Sequence, residues 1–311
     1  MSSEPPRLSM GTRAFAALQY ALPKHWLSRL VYHITRSRRP AIKNALLKGF
    51  LRGYRVNMAE ALQPDPFAFA SFNDFFTRAL RADARPVAPE PGELASPVDG
   101  TVSQCGSIDV QRMVQAKGHD YSLEELLAGD RAASDRYRGG GFACIYLAPY
   151  NYHRIHMPCA GRLRSTVYVP GDLFSVNTMT VNAVPRVFAR NERVICEFDT
   201  AAGPMALIAV GALFVGSMEM VHCGEINPPP RKRAAPVPVA TGAGTDFAKG
   251  AELGRFNMGS TVILLFAAGR ISWSEQLQAQ CAVRMGQPIG RMLAQDSAAA
   301  ARISIASSKP R

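Results

Sequence analysis

The sequence predicts an α+β fold, a mostly antiparallel β core with N-terminal amphipathic helices, on three observations. Residues 12–56 carry apolar side chains at helical spacing between Gly and Pro punctuation. From about Ala95 onward the pattern changes to short β-rich runs at 141–147, 166–169, 187–188, 194–198, 205–210, 261–266 and 269–273. Gly, Pro, Asn and Asp separate these runs, as expected for strands joined by turns.

The N-terminal region reads as two basic amphipathic helices. Trp26, Leu27, Leu30, Val31 and Ile34 recur with helical spacing, and Ile42, Leu46, Phe50 and Tyr54 repeat every four residues. Arg and Lys fill the positions between them. Residues 1–60 hold eleven basic residues against Glu4 and Glu60, which is +9 of the chain's net +12. Such a face calls for an anionic partner. No nucleic-acid reader motif is present, so nucleic acid is set aside and an anionic membrane surface is expected. Packing against the core is the competing expectation, and both can hold along one helix pair. The division expected is a basic helical region over 1–65 and a β-rich domain over 66–311.

No apolar run reaches the roughly eighteen residues that span a bilayer. Met1-Ser2-Ser3-Glu4-Pro5-Pro6 lacks the apolar stretch and cleavage site of a signal peptide, so the expected location is the cytoplasmic face of the cell membrane, held peripherally. The six cysteines, Cys105, Cys144, Cys159, Cys196, Cys223 and Cys281, show no disulfide framework and read as small hydrophobes.

Further along, 69–81 reads as a short helix with Phe72, Phe75 and Phe76 on one face. Residues 122–127 carry a capping signal. The segment 227–233 reads as an exposed loop and the chain after Gln287 as a frayed tail.

The chemistry centres on Met258-Gly259-Ser260-Thr261, between a turn-like segment and the run 261–266. Glycine can adopt backbone conformations closed to other residues, which could turn its carbonyl toward the next hydroxyl. Attack by Ser260 Oγ on the Gly259 carbonyl would convert amide to ester. Elimination would cut the chain between 259 and 260, and loss of ammonia would leave a pyruvoyl group at position 260. Such a ketone can form an imine with an amine and act as an electron sink. Serine needs a base and the base an orienting partner. Candidates stand at Asp99-Gly100, a turn signal, and at Tyr152-His153-Arg154-Ile155-His156-Met157-Pro158.

These segments, in this order, resemble the phosphatidylserine decarboxylase family, whose Asp-Gly, Tyr-His-Arg-x-His-Met-Pro and Gly-Ser-Thr motifs fall on Asp99, on His153 and His156, and on Ser260. The resemblance extends to Phe72-Asn73-Asp74-Phe75-Phe76-Thr77-Arg78, Lys117-Gly118 with Tyr121-Ser122-Leu123, Phe174-Ser175-Val176-Asn177, Val210-Gly211-Ala212 with Val215-Gly216-Ser217, and Lys249-Gly250-Ala251-Glu252, so it spans roughly residues 70–290. The family usually has Leu at Met258 and often Lys at Asn257, exchanges that keep volume and turn tolerance.

The resemblance implies a pyruvoyl-dependent, self-processing enzyme that decarboxylates phosphatidylserine to phosphatidylethanolamine. It implies Ser260 as nucleophile and precursor of the pyruvoyl group, His156 as base and Asp99 as its orienter. His153 is expected to protonate the α-carbon. The large chain 1–259 and small chain 260–311 would stay paired. Glu252, Arg255 and Phe256 either position the scissile loop or lie in a solvated one. Two alternatives are carried: a zinc-dependent hydrolase using His153, His156 and Cys159, with His222 as a further ligand, and a non-catalytic membrane-surface module.

Overall fold

The computed structural model describes residues 10–109, 112–116, 119–214, 217–226, 234–237 and 245–293. The loop 227–233, the motif residues Lys117, Gly118, Val215 and Gly216, and the tail from 294 lie outside the described residues. The architecture is α+β, and every pair of strands within its sheets is antiparallel.

Three N-terminal helices form instead of two: α1 (Met10–Ala21), α2 (Lys24–Thr35) and α3 (Pro40–Gly53). Prolines explain the breaks. Pro23 stands just before α2, and Pro40 opens α3, where its missing N–H and fixed φ are tolerated. Helix α4 (Phe72–Phe76) is capped by Ser71, whose side chain accepts from the Asp74 N–H. It is shorter than expected, since Thr77 leaves helical geometry and its hydroxyl turns back to the Asn73 carbonyl.

The main sheet has nine strands. Those that shape the site are β1 (Gly100–Ser107), β2 (Gly141–Leu147), β4 (Gly161–Val169), β5 (Arg193–Thr200), β6 (Gly203–Val210) and β8 (Ser260–Phe266). Their order across the sheet is β4, β5, β6, β8, β2, β1. β8 is therefore interior, paired along its length with β2 on one edge and β6 on the other. A smaller sheet contains β3 (Arg154–His156) and β7 (Glu252–Phe256), paired to each other. Residues 252–256 are thus a strand, not a solvated loop, and the turn preceding the Gly-Ser bond is confined to 257–259.

All seven residues of β8 are buried, which is why it reads as an unbroken apolar run instead of an alternating one. Val262, Leu264 and Phe266 join one core cluster with Ile145, Leu147 and Leu207, while Ile263 and Leu265 enter a second with Phe142, Ile208 and Phe188. The main sheet is covered on both faces.

Two expectations fail. Residues 187–188 belong to a helix, α5 (Val187–Arg190), entered through Arg186 in the left-handed region at φ 56°. Apolar Val187 and Phe188 still point into the core, so their burial was readable and their periodicity was not. The supposed tail contains a strand, Pro288–Met292, sandwiched between Glu93–Ala95 and Ile271–Trp273. The capping signal at 122 is correct: Ser122 accepts from the Glu125 N–H and Glu125 from the Ser122 N–H.

Helix α2 is oriented against the usual rule. Its buried positions are Lys24, Ser28 and Thr35, while Trp26, Leu30 and Ile34 are 62%, 43% and 38% exposed. Lys24 is held inward by the Gln19 carbonyl and lies over the Phe174 ring at 4.3 Å.

Removing packing from the middle of β8 should be costly. In a Ser260→Ala background, Leu264→Ala should lower stability by about 2–5 kcal/mol, measured by denaturant unfolding. A loss below about 1 kcal/mol would show that the strand is not the centre of the core.

Candidate active site

Ser260 is the first residue of β8, fully buried, opposite Leu147 of β2. Its Oγ has no protein hydrogen-bond partner, and the same holds for Thr261 Oγ1 beside it. Buried hydroxyls are normally satisfied, so two orphans on consecutive residues call for an explanation.

His153, immediately before β3, supplies part of it. The ring is fully buried against Phe76, with centroids 4.1 Å apart. Nδ1 lies 2.9 Å from the Asn151 carbonyl oxygen, which can only accept, so Nδ1 carries the proton and Nε2 presents a lone pair. That Nε2 also has no partner. A Cβ built on Gly259 would stand 3.8 Å from it. The orphaned imidazole nitrogen thus lies beside Gly259, the residue that precedes Ser260. Burial drives the His153 pKa down to about 3, partly opposed by the Asn151 contact and reinforced by nearby Arg78. The ring is neutral near neutral pH, with Nε2 available as a hydrogen-bond acceptor.

His156 ends β3 and is also buried. Its Nδ1 is 2.8 Å from the Gly250 carbonyl, and its Nε2 is 3.0 Å from the Tyr152 hydroxyl. The carbonyl again fixes the tautomer, so Nε2 accepts from Tyr152. Burial lowers its pKa, against the Gly250 contact.

Asp99 stands just before β1. It accepts from Arg85 through both oxygens, at 2.6 Å and 2.9 Å, and from the Met285 N–H at 2.8 Å. Arg85 also reaches Glu60 at 2.8 Å. Asp99 makes no direct hydrogen bond to His156; both His156 nitrogens are taken by other groups. Arg85 and Tyr152 are the partners that motif reading did not foresee. One arginine among many carries no signal in the sequence, and Tyr152 could have been suspected from its place inside the histidine segment.

The turn before Ser260 is fixed by polar contacts. Asn257 donates to Ser217 Oγ at 2.7 Å and accepts from Asn73 at 3.1 Å. The unusual backbone angle falls on Met258, at φ 155°, and Gly259 has room for a methyl group. The glycine is therefore not required by its φ, contrary to the reading from sequence.

Among the described residues, no three His, Cys, Asp or Glu side chains converge to hold a metal ion. Cys159 is buried beside Met205, and His222 bonds Thr166 on another part of the fold.

Fold and site together define an α+β protein with a buried, unpartnered serine at the entry of its central strand and a buried histidine beside the preceding glycine. The phosphatidylserine decarboxylase family pattern matches residues 72–291, and a shorter one described as PSD matches residues 14–55. The chain is 51% identical over 283 residues to the phosphatidylserine decarboxylase proenzyme of Azotobacter vinelandii, covering 91% of this chain and 99% of that one. It is 52% identical to the Bordetella petrii proenzyme, with 88% and 95% covered, and 50% identical to that of Methylococcus capsulatus, with 89% and 96% covered. The chain belongs to the phosphatidylserine decarboxylase family.

The buried imidazole has a measurable consequence. A histidine kept neutral in the fold but free to protonate when unfolded stabilises the fold above its ordinary value of 6.5, and that contribution is lost as pH falls toward about 3. The denaturant midpoint of the Ser260→Ala protein should drop between about pH 7 and about pH 5, and by less once His153→Gln is added. Equal drops would remove His153 as the cause.

Proposed function

We propose that the chain is a phosphatidylserine decarboxylase that makes its own prosthetic group and works at a membrane surface. One observation carries this reading: the buried, unpartnered His153 Nε2 lies 3.8 Å from the Cβ position of Gly259, and the next residue, Ser260, has a buried and likewise unpartnered Oγ. Ser260 Oγ attacks the Gly259 carbonyl carbon while its proton passes to a base, and the C–N bond gives way to an ester. Elimination leaves a carboxylate on Gly259 and dehydroalanine at 260. Hydrolysis then releases ammonia, leaving a pyruvoyl group on the small chain 260–311.

The residues present fit such a group. Position 260 is fully buried, follows the glycine whose Cβ position lies 3.8 Å from His153 Nε2, and heads a strand gripped on both edges. A pyruvoyl group there supplies a ketone that takes up the substrate amine and withdraws electrons from the bond to the departing carboxylate. The protein's own part is to exclude water through Phe76 and its neighbours; for His153 to protonate the substrate α-carbon, as the family pattern implies, its Nε2 must first take up a proton.

By family pattern the base for processing is His156, with Asp99 behind it. A second reading is favoured by one distance, the 3.8 Å from His153 Nε2 to the Gly259 Cβ position. In that reading His153 takes the Ser260 proton, and Asp99, anchored by Arg85, shapes the wall in which Tyr152 orients His156.

Membrane attachment is supported by α2. A helix that buries Lys24, Ser28 and Thr35 and turns Trp26, Leu30 and Ile34 outward has its apolar face toward something other than the core. Exposed Met10, Leu18, Tyr20 and Ile42 extend that face over α1 and α3. No helix among the described residues is long and apolar enough to cross a membrane. The attachment proposed is peripheral, on the cytoplasmic face and to anionic lipid, and the cleaved large and small chains remain one heterodimer.

Purified protein should run as a 259-residue and a 52-residue chain on a denaturing gel, and Ser260→Ala as one inactive chain. His156→Ala blocking cleavage while His153→Ala still cleaves, with turnover down about 10²–10⁴, supports the family roles. The reverse pattern gives the processing base to His153. An intact wild-type chain with full activity would end the proposal.

The protein should co-sediment with vesicles containing anionic lipid and leave them partly at high salt, because each surface Lys or Arg contributes on the order of 1 kcal/mol that salt screens. Trp26→Ser with Leu30→Ser should reduce the salt-resistant fraction. Undiminished binding by that variant would place the contact elsewhere.

A further inference from the structure

We propose that the cleft at the end of α3, walled by Arg55, Arg78 and Arg85, is a phosphodiester site that holds the headgroup phosphate of the lipid substrate; this rests on the decarboxylase reading above. The cleft measures about 260 Å³ and runs along Asp99 and the segment 150–152. Its charged lining is Arg55, Arg78, Arg85 and Arg284 against Glu60 and Asp99, an excess of two positive charges.

Internal pairing does not absorb that excess. Arg85 is taken by Asp99 and Glu60, and Arg284 reaches Glu60 at 3.5 Å. Among the described residues, no carboxylate pairs with Arg78 or Arg55. Arg78 is only 4% exposed. One of its terminal nitrogens donates to the Tyr150 and Asn151 carbonyls at 3.2 Å and 3.4 Å, and its Nε has no partner. Burial pulls its pKa down to about 10, partly offset by Asp99. A buried guanidinium without a counter-ion is costly, and a planar fork of donors suits phosphate oxygens.

The position relative to the reacting centre fits this ligand. The Asn151 carbonyl accepts from both Arg78 and His153 Nδ1. The anion would therefore sit one peptide group from the imidazole beside Gly259. In a serine phospholipid the phosphate is only a few bonds from the α-carbon. The substrate carboxylate is the wrong occupant, because a cation bound to it would stabilise the ground state that must lose carbon dioxide. Exposed Tyr54 and Tyr150 stand where α3 ends, so the acyl chains can stay with the bilayer.

The test uses full-length protein and three soluble probes. Dihexanoylphosphatidylglycerol carries the phosphodiester but no amine, inorganic phosphate is the free anion, and dihexanoylglycerol lacks phosphate. Wild type should decarboxylate dihexanoylphosphatidylserine with competitive inhibition by the phosphatidylglycerol and little by the other two. Arg55→Gln and Arg78→Lys should each raise KM and that inhibition constant roughly tenfold, with kcat within about twofold. Calorimetric binding of the phosphatidylglycerol to uncleaved Ser260→Ala protein should weaken to the same degree when either change is added, a readout independent of turnover. If Arg78→Lys fails to self-cleave, Arg55→Gln decides alone. Unchanged KM and binding would overturn the site. Inorganic phosphate competing as well as the lipid would overturn the headgroup assignment. A wild-type chain that neither cleaves nor decarboxylates is detected first and would sink the decarboxylase reading instead.

Discussion

Two-sided hydrogen bonding of β8 is the constraint on which the rest of the molecule depends. The bond between Gly259 and Ser260 lies where a turn enters the most buried strand of the main sheet. A cut at that bond, as proposed above, would create two termini inside a core. Such a cut is tolerable only if the new N-terminus is already held by neighbours on both edges, because local opening is least accessible where backbone bonds and apolar packing are most complete. The strand thus buries the Ser260 hydroxyl away from water, and it would retain the product of a cut there.

The polar parts of the site are arranged around this strand in separate groups. Arg85 ties Asp99 to Glu60, so the acid is fixed from the side of the connection that follows α3. Tyr152 and the Gly250 carbonyl fix His156, and the Asn151 carbonyl fixes His153. The scissile turn is linked to the N-terminal helices as well. Arg36, which caps α2, donates to Ser217 Oγ, and Asn257 donates to the same oxygen. The helix with the outward apolar face is therefore two hydrogen bonds from the residue that precedes Met258.

Much of this was legible in the sequence, for identifiable reasons. The run 261–266 announces a strand buried on both faces, Ser122 with Glu125 announces a capped turn, and the ordered motifs collect Asp99, the two histidines and Ser260. What stayed hidden depends on tertiary neighbours. Periodicity shows that α2 has an apolar face but not that this face points outward. Val187 and Phe188 are apolar enough for a strand, yet the left-handed turn at Arg186 starts a helix. Two histidines three residues apart cannot reveal which one faces Gly259, since that is set by Asn151 and Gly250 carbonyls distant in sequence from one another. The strand at 288–292 has little alternation of its own and is specified by the two strands flanking it.

The interior position of β8 also has a genetic consequence. The segment from Ser260 onward contributes β8, an interior strand of the main sheet paired on both edges with strands that precede it in the chain. If the cut falls between Gly259 and Ser260, its two products stay bound to each other for the life of the molecule. An allele damaged at Ser260 and another damaged at Asp99 should therefore fail to complement in the same cell, although each supplies the part the other lacks.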